Sequence, residues 1–266
     1  MRFSPFTHSD IPVLDELRPP DWTDIKIPFQ FYLSSDFCFP IKLIHEDKII
    51  GVGCPIIHDD VAWLGHIIVH PDFRNQGHGT TITKHLIKIA EGLKTSTIFL
   101  IATDMGAPVY SKLGFETETE YLFYKDVLLK EKFVRSNNVI LFQEKYFDQL
   151  YQLDKKLSSE NRLPHMTEHC SSGIVYLEND RVLGFYLPNF GEGIILAEHP
   201  SAGIELLKFH LSKNDKVVFP IENTFALQFM TQHSLEFFRK AKRMRLGIKR
   251  EWVPSSIFNR IGGNLG

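Results

Sequence analysis

The chain has 266 residues, 43% of them apolar and 23% charged, with a formal charge of −2. That is enough for one large domain or two of about 130 residues. The near-neutral balance gives no general pull toward nucleic acid, and no apolar run approaches the roughly 18–20 residues of a membrane span.

The first residues lack the apolar centre of a secretion signal, and Cys38, Cys54 and Cys170 are odd in number and widely spaced. No disulfide framework is expected, and the expected location is cytoplasmic with reduced thiols. Charge is uneven along the chain. Residues 1–130 carry 12 Lys+Arg against 17 Asp+Glu, and residues 131–266 carry 18 against 15. Much of the basic excess lies in Arg239–Arg250, which reads most simply as the solvated face of a strand pair. A docking patch for an acidic partner or a cofactor phosphate is the alternative.

In chain order, Phe3–Phe6 reads as a short strand. Thr7-His8-Ser9-Asp10 is a Thr-x-x-Asp helix start, followed by helical spacing of Ile11, Val13, Leu14 and Leu17 and stopped by Pro19-Pro20. A further helical patch surrounds Phe29–Leu33. From Pro40 the period becomes that of strands: Ile41–His45, a turn at Glu46-Asp47-Lys48, Ile49–Ile57, a turn at His58-Asp59-Asp60, and Val61–Val69. An amphipathic helix follows, then a buried strand at Thr97–Ala102 and a short helix at Gly106–Leu113. Gly114 is a candidate left-handed cap, and Glu118–Asp126 reads as a last strand. An antiparallel meander with helices after it is a mixed α/β (α+β) pattern.

The segment Leu64–Glu91 carries the clearest chemistry. A β-branched run ending at Val69 turns at Pro71, passes Arg74-Asn75-Gln76-Gly77-His78-Gly79 and opens a helix. The first N–H groups of a helix have no intrahelical partners and sit at its positive dipole end. Gly77 and Gly79 let a ligand approach the backbone closely, and Arg74 adds a fixed positive charge. The element predicts an anionic, phosphate-bearing ligand.

After Lys130 the pattern restarts. Lys48-Ile49-Ile50-Gly51, Pro55 and His70-Pro71 recur as Arg181-Val182-Leu183-Gly184, Pro188 and His199-Pro200. Leu14-Asp15 recurs as Leu153-Asp154, and Thr97–Leu100 with its short helix recurs as Val217–Phe219 with Asn223–His233. Two copies of one unit, 1–130 and 131–266, are expected, joined within Val127–Asn138. After His199-Pro200 comes Ser201-Ala202-Gly203, so the second copy lacks the glycine cradle.

Val69–Gly79 resembles the acetyl-CoA motif of the GNAT N-acetyltransferase superfamily, a strand ending V-x-P followed by R/Q-x-x-G-x-G/A. Leu100–Phe115 resembles that superfamily's second motif, in the form L-x-A-T-x-x-G-x-P-x-Y-x-x-L-G-F typical of bacterial two-domain members with a degenerate GNAT-like C-terminal domain. The resemblance implies two tandem GNAT-like domains, each a central, mostly antiparallel sheet flanked by helices. The first would be catalytic and the second a wall of the acceptor site. It implies acetyl-CoA as cosubstrate and transfer of the acetyl group to a primary amine, by direct attack in a ternary complex.

The pyrophosphate would meet the N–H groups of Gln76, Gly77, His78, Gly79 and Thr80, beside Arg74 and Asn75. The pantetheine arm would lie along Ile67, Ile68 and Val69, where the family has a bulge that opens the cleft. Tyr110 stands where the family places its general acid, and it could instead only pack. Asp104, with Thr103, could contact the pantetheine or cap a helix. For the general base, His66, Asp24, Glu46, His45 and ordered water all remain open.

The acceptor is expected to be a small-molecule amine, with no nucleic acid or membrane partner, on a monomer or homodimer. A non-catalytic acyl-CoA-binding sensor is the alternative. No metal is expected. On a strand, His66 and His70 would lie about 13 Å apart, too far to share an ion. His165 and His169 lack the second ligand pair of a structural zinc site.

Overall fold

A computed structural model describes residues 1–20, 22, 24–127 and 135–266. These residues form two compact units. The first comprises Met1–Glu116, Met244–Ile248 and Gly263–Gly266, and the second Thr117–Arg243 and Lys249–Gly262. The sequence boundaries 1–130 and 131–266 divide the chain by linear order, whereas the units divide it by packing. Residues 128–134 of the expected join lie outside the described residues.

The first unit opens with β1 (Arg2–Pro5), a 3₁₀ turn over His8–Val13, α1 (Leu14–Leu17) and α2 (Lys26–Ser34). The Thr-x-x-Asp start is present, with the Asp10 carboxylate accepting from Thr7 N at 2.7 Å. Its continuation is 3₁₀ rather than α because Pro12 falls inside it, where a missing N–H and the ring clash break the α ladder. The meander follows as β2 (Ile41–His45), β3 (Lys48–His58) and β4 (Val61–Val69), then α3 (His78–Gly92), β5 (Thr97–Ala102) and α4 (Ala107–Ser111).

The β2–β3 turn holds Glu46 and Asp47 both at positive φ (46° and 59°), the geometry whose twist matches the flanking strands. Strands pair in the order β1-β2-β3-β4-β5, antiparallel except for the parallel β4–β5 pair. Ile82, Leu86, Ile87 and Ala90 of α3 bury their apolar stripe on this sheet, together with Ile41, Leu43, Ile50 and Leu64. The fit is close at Gly51, where a Cβ would lie 2.6 Å from Ile82 Cδ1.

The second unit contains all but the first residue of β6 (Glu116–Tyr124), then β7 (Val139–Leu141), α5 (Phe147–Ser158), α6 (Leu163–His169), β8 (Ile174–Glu178), β9 (Arg181–Leu187), β10 (Ile194–Ala197), α7 (Pro200–Leu211), β11 (Val217–Pro220) and α8 (Thr224–Gln232). β12 (Arg239–Gly247) begins in this unit and ends in the first, and β13 (Ile257–Asn259) closes the five-stranded order β13-β10-β9-β8-β7.

The repeat read from sequence is visible in local geometry. The β8–β9 turn again holds two residues, Asn179 and Asp180, at positive φ (51° and 60°). Gly184, like Gly51, admits a helix, since a Cβ there would lie 3.1 Å from Leu206 Cδ1 of α7.

The basic stretch of β12 is solvated only in part: Arg239 is exposed, whereas Arg243 and Arg245 are buried. Arg243 is 3% exposed, donates from Nε to Glu118 at 3.0 Å, and stacks over Trp252 at 3.9 Å. Arg245 is 8% exposed and pairs with Glu116. The alternating glutamates of β6 draw these charges inward, because a buried guanidinium needs a carboxylate partner. His165 and His169 both stack with the Phe190 ring, at ring distances of 5.1 and 4.9 Å.

Candidate active site

The site begins where β4 leaves its neighbours. In the β3–β4 register Val52 faces Ile68 and Cys54 faces Gly65, so two residues of β4, His66 and Ile67, oppose Gly53 alone. This is a β-bulge, and it puts His66 at φ +50°, a conformation in which His is enriched among non-glycine residues. On its other edge β4 pairs with β5 only through Val61–Trp63 and Thr97–Phe99. From Leu64 onward the two strands run unpaired, and Ile67, Ile68 and Val69 follow that opening. Ile68 is buried, and Ile67 and Val69 pack half-buried against the core.

Beyond β4 the chain turns through Pro71–Phe73, with His70 Nδ1 accepting from Asp72 N at 3.3 Å. Arg74 Nε donates to Val69 O at 3.0 Å, which fixes the guanidinium beside the strand end. Gln76 Nε2 donates to Asp72 O at 3.2 Å. Asn75 (φ +61°) and Gly77 (φ +82°) both take left-handed backbone, and Gly77 is the N-cap of α3.

No side chain caps this helix start. Its first N–H groups, on His78, Gly79 and Thr80, are therefore presented at the positive dipole end. A Cβ added at Gly77 would meet nothing within 4 Å, and one at Gly79 would meet only Val69 Cγ2 at 4.0 Å. Gly77 is required by its φ. Gly79 is required by nothing in the protein itself, so the space it leaves is room for a ligand. The His78 ring is buried and faces Phe73, so this residue offers its backbone alone. A phosphate group fits this arrangement of uncapped N–H groups, open space and an adjacent guanidinium.

Tyr110 lies on α4. The missing Cβ of Gly106 makes room for its ring, since a Cβ there would lie 2.9 Å from Tyr110 Cε2. Phe115 meets the ring edge-on at 6.0 Å, and Gly114 adopts the expected left-handed conformation at φ +91°. Burial pushes the Tyr110 phenol up to about 12, so it is held protonated across the physiological range. Its hydroxyl makes no hydrogen bond among the described residues. The Thr103–Asp104 pair divides its work: Thr103 Oγ1 accepts from Gly106 N at 3.3 Å, and Asp104 is left exposed.

The structure separates the candidate bases. Asp24 Oδ1 accepts from Lys26 N at 2.9 Å at the start of α2. His45 and Glu46 sit at the exposed hairpin end, 3.8 Å apart. His66 alone is at the bulge. Its ring is edge-on to Trp22, Phe29 and Tyr32, and its Nδ1 lies 2.7 Å from Tyr32 Oη. Asn264 Nδ2 donates to that same Oη at 2.7 Å. Burial drives His66 down to about 4. Tyr32 and Asn264 carry no motif and are far apart in sequence. The one local signal for them is Gly65, where a Cβ would sit 2.6 Å from Asn264 Cβ and 3.2 Å from Tyr32 Oη.

In the second unit the corresponding glycine leaves no room for a ligand. Gly203, in the first turn of α7, faces the Phe258 ring, and a Cβ there would fall 2.0 Å from Cε2.

The Acetyltransferase (GNAT) family model matches residues 7–115. Among solved structures, a proposed acetyltransferase from Pyrococcus horikoshii has a TM-score of 0.81 at 22% identity, covering 100% of this chain and 95% of that one. A GCN5-related N-acetyltransferase from Sphaerobacter thermophilus gives 0.62 at 13% identity, covering 96% and 98%. A tandem GNAT protein from the clavulanic acid biosynthesis pathway gives 0.60 at 10% identity, covering 94% and 99%. These likenesses show the fold. Among curated proteins, the cysteine-rich protein 2-binding protein of Homo sapiens is 30% identical over 90 residues, which are 33% of this chain and 11% of that protein. The chain thus spans only a small part of the length of that relative. Residues 7–115, where the bulged strand, the uncapped helix start and the Tyr110 helix all lie, are thus similar to the Acetyltransferase (GNAT) family.

Proposed function

We propose that this protein is an acetyl-CoA-dependent N-acetyltransferase acting on a primary amine of a small molecule, with one active site per chain, in the first unit. The observation that carries the reading is the parting of β4 from β5 beyond Trp63, at a bulge that leads directly to the uncapped start of α3. Arg74, Asn75, Gln76, Gly77, His78, Gly79 and Thr80 would hold the pyrophosphate. The edge of Ile67–Val69 would receive the amide arm, and exposed Asp104 would stand beside it.

Bound there, acetyl-CoA supplies an activated acyl group that a free amine can attack without a covalent enzyme intermediate. Backbone donors at the bulge would polarise the carbonyl oxygen. Tyr110, protonated and without a competing partner among the described residues, would deliver a proton to the departing sulfur. In the second unit Ser201-Ala202-Gly203 replace the glycine cradle and Phe258 fills the space beside Gly203, which supports a single site.

A panel of amino acids, polyamines, aminoglycosides and peptides with acetyl-CoA, followed by free-thiol release, tests the proposal. Release with a small amine is expected. Silence across the panel, with coenzyme A still raising the melting temperature, would favour a binding protein without turnover.

A further inference from the structure

His66 cannot be understood from its own strand. Its ring sits at the bulge with one nitrogen tied to a chain of two further side chains, Tyr32 from α2 and Asn264 from the late segment Gly263–Gly266 of the same unit. Proton bookkeeping decides what that chain does. Tyr32 is 1% exposed, and its hydroxyl has one hydrogen to give. Asn264 Nδ2 donates to the Tyr32 oxygen, so the phenol hydrogen must go elsewhere. The His66 Nδ1 at 2.7 Å is the acceptor in place for it. A proton on Nδ1 would instead give Tyr32 two incoming donors and leave its own buried hydrogen unpaired, an arrangement that costs roughly 1–3 kcal/mol. The neutral imidazole therefore carries its hydrogen on Nε2.

We propose that Asn264 and Tyr32 hold His66 as the Nε2–H tautomer, and that His66 is thereby a fixed neutral donor to an oxygen of the acceptor molecule, a carboxylate or carbonyl beside the amine, rather than the base that deprotonates it. The tautomer stands on the geometry alone, and the role toward the acceptor rests on the acetyltransferase reading.

Three observations support it. Nε2 makes no hydrogen bond among the described residues, and the ring keeps partial exposure, so the donor is available. The rings around it, Trp22, Phe29 and Tyr32, are uncharged and lower the local dielectric, which strengthens a hydrogen bond formed there. Gly65 lacks a Cβ where Asn264 and Tyr32 come closest, so the chain of donors is seated against the strand itself.

The tautomer is read by ¹⁵N spectroscopy of the imidazole in the full chain at neutral pH, with His66 assigned from the signal missing in His66→Gln. The proposal expects a protonated-type Nε2 and a pyridine-type Nδ1, and a shift toward mixed tautomers in Asn264→Ala. Turning over the Asn264 amide would reverse every bond in the chain and protonate Nδ1, and that spectrum would overturn the proposal. The role is read with the best amine of the panel. His66→Ala should lower kcat/KM for the amine about tenfold or more, while the melting shift induced by coenzyme A persists. His66→Gln, whose amide N–H can stand near the Nε2 position, should recover most of the loss. A glutamine variant as impaired as the alanine one, with coenzyme A binding intact, would overturn the donor role. Absence of turnover in the unsubstituted protein counts against the acetyltransferase reading, and with it that role, while the imidazole spectrum decides the tautomer separately.

Discussion

Replacing Gly79 by alanine should move folding stability and coenzyme A affinity in opposite directions. Gly79 is the second residue of α3, and a methyl added to it would approach only Val69 Cγ2, at 4.0 Å. No strain opposes the substitution, and alanine in place of a helical glycine is worth about 0.5–1 kcal/mol. The ligand-free protein should therefore melt no lower than the parent. The same methyl occupies the space through which a phosphate would reach the first N–H groups. Loss of one charge-assisted hydrogen bond costs about 1.5–3 kcal/mol, or roughly 10- to 150-fold in Kd. Thermal unfolding without ligand and calorimetric titration with coenzyme A read the two effects separately. Gly77→Ala is the control, because at φ +82° the cost falls on the backbone, about 1–2 kcal/mol in the free protein. An unchanged Kd in Gly79→Ala would show that the open space is not where the ligand lies, and the assignment of the cradle would fail.

Tyr110→Phe removes a hydroxyl with no partner among the described residues, so melting temperature and coenzyme A affinity should hold while turnover falls about 10²- to 10⁴-fold; unchanged turnover would remove Tyr110 from the mechanism. Because burial lifts Tyr110 to about 12, it should contribute no basic limb to the rate profile below about pH 10, and the stability linked to it is present below the ordinary tyrosine value and lost as pH rises through 12. For His66, held down to about 4 against an ordinary 6.5, the sign is opposite: stability is present above 6.5 and declines as pH falls toward 4, by at most about 3 kcal/mol and less because the ring keeps some exposure. Denaturant midpoints at pH 7 and 4.5 should drop further in the parent than in His66→Gln. In the second unit, Asp154→Ala strands buried Arg162, which donates to both Asp154 oxygens, and chemical unfolding should show a loss of about 3–5 kcal/mol.

The parts of this protein that sequence exposes are those whose signal is local. The glycine pair after Val69, the left-handed Gly114 and the two hairpin turns each require a particular backbone, and a few adjacent residues announce it. The family resemblance implies the bulge, and it is present, yet its consequence for His66 is not legible in the sequence, because alternation along a strand fails where an extra residue is inserted. Tyr32 and Asn264 were not legible at all: 232 positions separate them, and a hydrogen bond across that distance leaves no periodic trace.

The dense charges at Arg239–Arg250 suggest a solvated face, whereas Arg243 and Arg245 are buried. The alternating Glu116, Glu118 and Glu120 were the available counter-signal, since two strands with opposite alternating charges satisfy one another. The return of Met244–Ile248 to the first unit rests on Gly247, at φ +90° with Ser96 O only 2.3 Å from where a Cβ would be. A single glycine in a polar stretch does not advertise such a contact.

The central claim is that an amine takes the acetyl group directly in this site. Mass spectrometry of the full chain incubated with acetyl-CoA, first alone and then with the amine giving the highest thiol release, tests it in one series. The account predicts no acetylated protein and no thiol without the amine, then one acetylated amine for each thiol released. Stoichiometric thiol release with an acetyl group left on the chain before any amine is added would contradict it.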